Sequence, residues 1–260
     1  MSEIDPHLPP PPFTTHWALF LDVDGTLLEH APQPQEVRVS PRLMVLLRAL
    51  SHAPGAAIAL ISGRSVEDLD QLFAPLHLPA AGQHGAERRS ANGTMHHQPL
   101  TLKEKLATAE PYVARLVERH AGLVAENKGL SLALHYRRAP ELRPIVEREM
   151  HALARGLDDG FEILEGKFVF EIKPSGRDKG TAIAEFMAEE PFIGRTPAFL
   201  GDDLSDEYGF TLVNANGGHS VKVGTGPSVA RWRLSNASAV HHWLGAALRF
   251  SGRRQSGEAR

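Results

Sequence analysis

The apolar run at residues 18–21 (ALFL) leads without a break into Asp22-Val23-Asp24-Gly25-Thr26, and no other segment constrains the fold as much. A short apolar run closed by a turn glycine suits a strand buried on both faces of a parallel sheet, where neither side meets water. Two carboxylates then leave the strand together at its carboxyl end, the edge at which open α/β sheets place their ligands. Unpaired buried carboxylates are costly, so a cationic partner belongs there. A hard divalent cation that takes oxygen ligands, magnesium above all, meets that demand.

The rest of the chain sets that strand in an alternating pattern. Further buried-strand candidates are residues 57–61, 198–200 and 221–223, with helical stretches such as 41–51 and 180–189 between them. In the last of these, Ile183, Phe186 and Met187 form one apolar stripe. Such alternation predicts an α/β fold, a Rossmann-like parallel sheet with helices on both faces.

The middle of the chain reads differently. Leu130, Leu132, Leu134 and Tyr136 alternate with Ser131, Ala133, His135 and Arg137, and Phe168, Phe170 and Ile172 alternate with Lys167, Val169, Glu171 and Lys173. A period of two means one covered face and one face left open or lining a cleft. Helical segments at 110–120 and 141–155 can cover the apolar face. Residues 104–175 are therefore expected to form an inserted α+β cap domain, with Pro174-Ser175-Gly176 as a hinge. The catalytic core is expected at 13–103 and 176–250. Residues 1–12, which include four consecutive prolines, and residues 251–260 are expected to be a disordered lead-in and a flexible tail.

Composition narrows the partners. A net charge of −3, from 31 acids and 28 bases, creates no field that would favour nucleic acid or an anionic membrane. With no cysteine, disulfides, thiolate chemistry and Cys-ligated metal sites are excluded. The opening residues lack a basic region followed by an apolar core, and no apolar stretch approaches spanning length. The expectation is a soluble cytoplasmic protein with a small-molecule partner and a monomer as the default state.

The acidic motifs carry the chemistry. Asp22 can attack phosphorus to form an aspartyl-phosphate, splitting hydrolysis into two displacements. Asp24, two residues on, can protonate the leaving oxygen and later activate water. Gly25 permits the sharp turn, and Thr26 offers a hydroxyl and an amide to phosphate oxygens. Alone, Asp-Gly-Thr is an ordinary turn with a capping aspartate; after a buried strand the string is more specific. Asp202 and Asp203, again beyond a short strand and Gly201, can complete a magnesium shell, with Asp206 beside them. An acidic helix start explains Asp206 and Glu207, but not two adjacent like charges at a strand end. Ser62 and Gly63, opening a helix, can form a phosphate nest. Lys179 can bridge Asp22 and the phosphate, although a lone lysine there is more simply a solvated one.

Asp22-Val23-Asp24-Gly25-Thr26, Ser62, Lys179 and Gly201-Asp202-Asp203 occur in that order, each at a strand end or helix start. This arrangement resembles the haloacid-dehalogenase-like phosphohydrolases. Gly82-Gln83-His84-Gly85-Ala86-Glu87, Glu126-Asn127-Lys128-Gly129, His135-Tyr136-Arg137, Gly166-Lys167 with Glu171, and residues 173–180 narrow the resemblance to trehalose-6-phosphate phosphatases. The resemblance implies sugar contacts by Glu126, Lys128, Arg137, Lys167 and Glu171, with His84 and Gly85 beside the substrate. For the metal it implies Asp22, the Asp24 carbonyl oxygen, Asp202 and Asp203 with Asp206 near them. The expected function is magnesium-dependent hydrolysis of trehalose 6-phosphate. Alternatives are a related phosphatase or phosphomutase acting on sucrose or mannose phosphates, and a non-catalytic sugar-phosphate-binding regulator.

Overall fold

The computed structural model describes residues 9–30, 37–157 and 159–255. The chain begins with β1 (Trp17–Leu21), α1 (Pro41–Ser51), β2 (Ile58–Ile61), α2 (Val66–Phe73), β3 (Ala80–Gly82), β4 (Glu87–Arg89) and β5 (Met95–His97). There follow α3 (Leu100–Ala107), α4 (Glu110–Arg119), β6 (Val124–Asn127), β7 (Leu132–His135), α5 (Arg143–Leu157), β8 (Phe161–Gly166) and β9 (Val169–Pro174). The last part holds α6 (Lys179–Met187), β10 (Thr196–Gly201), α7 (Asp206–Ala215), β11 (His219–Val223), β12 (Trp232–Leu234) and α8 (Ala237–Gln255).

One sheet has the order β12-β11-β10-β1-β2-β3-β4-β5, parallel from β12 through β3 and antiparallel across β3-β4-β5. The apolar runs of its central strands follow from burial on both faces. Leu19 and Leu21 pack with Leu43, Leu47, Leu69 and Val240 of α1, α2 and α8. Ala18 and Phe20 pack with Ile183, Phe186, Phe210 and Val213 of α6 and α7. Local chemistry fixes where the helices start. Ser65 and Asp68 form a capping box on α2, and Asp178 and Thr181 form one on α6, making Lys179 the first residue of that helix.

The other sheet has the order β6-β7-β9-β8, all antiparallel. Its apolar face, with Leu132, Leu134, Phe170 and Ile172, packs under Val113, Leu116, Val146 and Met150 of α4 and α5. Residue 104 falls inside α3, whose Leu102 and Leu106 join this same cluster. The opposite face turns Glu126, His135 and Glu171 toward the first sheet. Lys167, expected on a strand face with Glu171, instead occupies the tight turn between β8 and β9, beside Phe168 at φ +64°.

Residues 1–8 of the expected lead-in and 256–260 of the expected tail lie outside the described residues. The chain is already docked by Pro11, whose carbonyl accepts from Trp243 Nε1 at 3.0 Å, and Phe13 packs edge-on against Trp17. Helix α8 runs to Gln255, past the expected start of the tail at Ser251. No helix of the described residues is long and apolar enough to cross a membrane.

Candidate active site

Asp22 and Asp202 extend the parallel neighbours β1 and β10, so the sheet itself brings the two carboxylates together. Asp206, at the start of α7, joins them, and oxygens of all three lie within 4.8 Å of one another. Close approach depends on Gly25, at φ +84°, where a Cβ would lie 2.2 Å from Asp202 Oδ2. Like charges at that spacing repel by ~3 kcal/mol per pair at an effective dielectric of about 20.

Lys179 meets part of this charge. Its Nζ donates to Asp22 Oδ1 at 2.7 Å and to Asp206 Oδ1 at 2.6 Å. Burial disfavours the ammonium, but Asp206 and Asp22 more than reverse this and hold it above the ordinary lysine range. Burial also raises the Asp22 carboxyl well above the usual carboxylate range, with Asp206 and Asp202 acting against the pull of Lys179. Three carboxylates face one ammonium, so negative charge remains in excess.

The oxygens are not equivalent. Asp22 Oδ2 and Asp202 Oδ1 are buried with no hydrogen-bond partner among the described residues. Asp206 spends Oδ1 on Lys179 and accepts from the Asp203 amide through Oδ2 at 2.8 Å. The donor set therefore fits a hard divalent cation, with Asp22 and Asp202 offering free oxygens and Asp206 bracing the lysine and the turn. Asp203 stands outside the three-carboxylate group, because adjacent residues of a turn point different ways. Its side chain faces the cavity and approaches Gly166 of the second sheet. His30 Nε2 lies 2.9 Å from Asp202 Oδ2.

Asp22, Asp202 and Lys179 form the floor of a cavity of about 680 Å³ between the two sheets, with Asp206 buried behind them. On the core side Asp24, Ser62, Gly63 and His84 line it. Arg64 forks onto Asp24, Nε to Oδ2 at 2.6 Å and a terminal nitrogen to Oδ1 at 2.7 Å. The His84 ring covers Gly63, where a Cβ would fall 2.7 Å from Nε2. On the far wall Lys128 Nζ donates to Glu171 Oε2 at 2.8 Å, and Glu126 lies 2.8 Å from His135 Nε2. Arg137 and Lys167 complete that wall. Burial alone would raise Glu171, but Lys128 outweighs it and holds the carboxyl well below its usual range; burial lowers the His84 imidazole from its ordinary value against the pull of Glu171.

Two expected residues lie elsewhere. Thr26 is fully buried and does not reach the cavity. Gly85 does not line it either; it packs against the start of α6, its carbonyl accepting from Arg177 Nε at 3.0 Å. Sequence reasoning missed Arg64, His30 and Gln83. Gln83 ties the two sheets together by accepting from the Leu130 amide at 2.8 Å. Arg64 directly follows Ser62-Gly63 at a strand end, and Gln83 stands beside His84 in the 82–87 motif, signals that were available; His30 gave none.

Comparison with known proteins follows the same lines. The model of the trehalose-phosphatase family matches residues 20–239. The trehalose-6-phosphate phosphatase of Escherichia coli (strain K12) is 44% identical over 239 residues, which are 90% of this chain and 87% of that one. A probable trehalose-phosphate phosphatase of Sinorhizobium fredii is 43% identical over 210 residues, 80% of this chain and 78% of that one. The C-terminal domain of the C. albicans trehalose-6-phosphate phosphatase has the same fold, with a TM-score of 0.77 at 21% identity over 90% of this chain and 93% of that one. A phosphatase of the haloalkanoate (HAD) enzyme superfamily from Bacteroides thetaiotaomicron also shares the fold, with a TM-score of 0.60 at 18% identity over 93% of this chain and 97% of that one.

Proposed function

The chain belongs to the trehalose-phosphatase family, and from that premise we propose that it hydrolyses trehalose 6-phosphate to trehalose and phosphate through an aspartyl-phosphate on Asp22. One observation supports this reading above others. Asp22, Asp202 and Lys179, with Asp206 buried behind them, sit at the floor of a cavity whose opposite wall carries Glu126, Lys128, Arg137, Lys167 and Glu171. A phosphoryl group suits the floor, and the hydroxyls of a sugar suit the wall.

In the first step the Asp22 carboxylate attacks phosphorus and the bond from phosphorus to the sugar oxygen breaks. That oxygen keeps the electron pair and takes a proton from Asp24. In the second step Asp24, now a carboxylate, takes a proton from the attacking water, and the bond from phosphorus to Asp22 breaks. Lys179 holds positive charge beside Asp22 throughout, while Ser62 and the Gly63 amide orient phosphate oxygens. Asp22, Asp202 and the Asp24 carbonyl would hold a magnesium ion, which would supply the positive charge that lets an anionic ester approach. We take residues 13–99 and 176–250 as the catalytic core and 100–175, which take in the whole of α3, as the cap.

A panel of sugar phosphates, assayed for phosphate release with magnesium present, tests the substrate. Trehalose 6-phosphate is expected to exceed glucose 6-phosphate in kcat/KM by at least about a hundredfold, since the smaller ester leaves buried polar groups of the wall unpaired. Equal turnover of glucose, sucrose or mannose phosphates would keep the phosphatase and discard the specificity for trehalose.

A further inference from the structure

Asp24 is the most exposed carboxylate of the motif, its side chain at 34% against 5% for Asp22. A short side chain so placed gains orientation only from a neighbour. Arg64 supplies one, with two parallel contacts of 2.6 and 2.7 Å that fix the plane of the carboxylate as well as its position. The base of Arg64 is itself fixed. Its amide donates to Ser62 Oγ at 3.1 Å, and its carbonyl accepts from the Gln83 amide at 2.9 Å. Gln83 and His84 both occupy left-handed backbone, at φ +48° and +56°, and Gln83 Oε1 in turn holds the Leu130 amide in the connection between β6 and β7 of the second sheet. A continuous set of contacts thus runs from the second sheet through Gln83 and Arg64 to Asp24.

We propose that Arg64 is a positioning residue, which holds Asp24 in the orientation needed to exchange a proton with the departing sugar oxygen. This rests on the reading of Asp24 as acid and base. When Asp24 gives its proton to that oxygen, it becomes the carboxylate that the guanidinium grips. To take a proton from the attacking water, it opens one of the two contacts. A lysine cannot replace the fork, because a single ammonium fixes a point and not a plane.

The test compares two esters under single turnover, with enzyme in excess and magnesium present, so that release of the alcohol reports the first step alone. Trehalose needs a proton to leave, whereas 4-nitrophenolate leaves without one. Arg64→Ala is expected to slow trehalose release from trehalose 6-phosphate by roughly tenfold to a hundredfold. It should slow nitrophenol release from 4-nitrophenyl phosphate by less than about threefold, with half-saturation equally little changed. Arg64→Lys is expected to fall nearer Arg64→Ala than wild type, and it carries the test if the alanine variant does not fold. In the Asp24→Asn background, removing Arg64 should cost trehalose release nothing further. Equal losses on both esters, additive losses in the double variant, or weaker half-saturation with an intact rate would overturn the proposal. Asp24→Asn separates the two ideas. If it spares nitrophenol release and Arg64→Ala does not, Arg64 has another role and the acid–base reading stands. If Asp24→Asn slows both esters equally, the reading of Asp24 fails and takes the proposal with it.

Discussion

Asp22→Asn is expected to lower phosphate release by at least about 10⁴-fold, because the amide cannot form the aspartyl-phosphate. The structure predicts no matching loss of stability. Asp22 is buried beside Asp202 and Asp206, and its carboxyl is pushed upward by burial and by those neighbours. Neutralising it removes repulsion, while Lys179 keeps its contact with Asp206 at 2.6 Å. In chelator the variant should therefore melt at or above the wild-type temperature. Appreciable turnover by a folded Asp22→Asn protein would remove Asp22 as the nucleophile, and a large fall in melting temperature would mean that the cluster is not short of positive charge.

The second large effect has the opposite sign on stability. Lys179 is 3% exposed and is the ammonium that bridges Asp22 and Asp206. Lys179→Met keeps most of the side-chain volume but leaves the buried carboxylates without that partner. Breaking a buried pair by removing one member costs about 3–5 kcal/mol. For a chain of this size that corresponds to a fall of roughly 10 °C in melting temperature. Turnover should fall as well, since the charge facing the phosphate is lost. Magnesium is expected to recover part of the stability by binding the native state, and adding Asp22→Asn should recover part of it in chelator. Thermal melts of the single and double variants check this; wild-type melting of Lys179→Met in chelator would show that the lysine does not balance the cluster.

These contrasts also show what could be read from the sequence. The apolar run before Asp22 reflects burial on two faces by α1, α2 and α8 on one side and α6 and α7 on the other, so pattern and packing agree. The alternation at 130–136 and 168–173 likewise reflects a sheet covered on one face only. Strand β4 was not legible, for a physical reason. Its sequence is Glu87-Arg88-Arg89, which reads as a solvated segment, yet all three residues are largely buried: Glu87 accepts from the Val66 amide, and each arginine finds a carboxylate partner distant in sequence. Arg89 forks onto Asp70, and Arg88 reaches Glu185 and Glu189.

The site followed the same division. Residues carried at strand ends or helix starts, such as Asp22, Asp202, Ser62 and Lys179, were placed by elements that the pattern already implied. The adjacent pair Asp202-Asp203 was not resolved, because the choice between Asp203 and Asp206 depends on how the turn into α7 winds. Thr26 and Gly85 do not line the cavity, and spacing alone does not report which way a turn residue points. Arg64 and Gln83 act through partners 40 and 47 residues distant, Asp24 and Leu130, and such pairings exist only once the chain is folded.

Phosphate release from trehalose 6-phosphate by the full chain, followed with magnesium, after chelation and after magnesium is restored, tests the central claim most directly. The excess of carboxylate over ammonium around Asp22 predicts rapid release with the metal, release at background after chelation, and recovery on restoration. Undiminished release in chelator, or none in magnesium, would contradict the account.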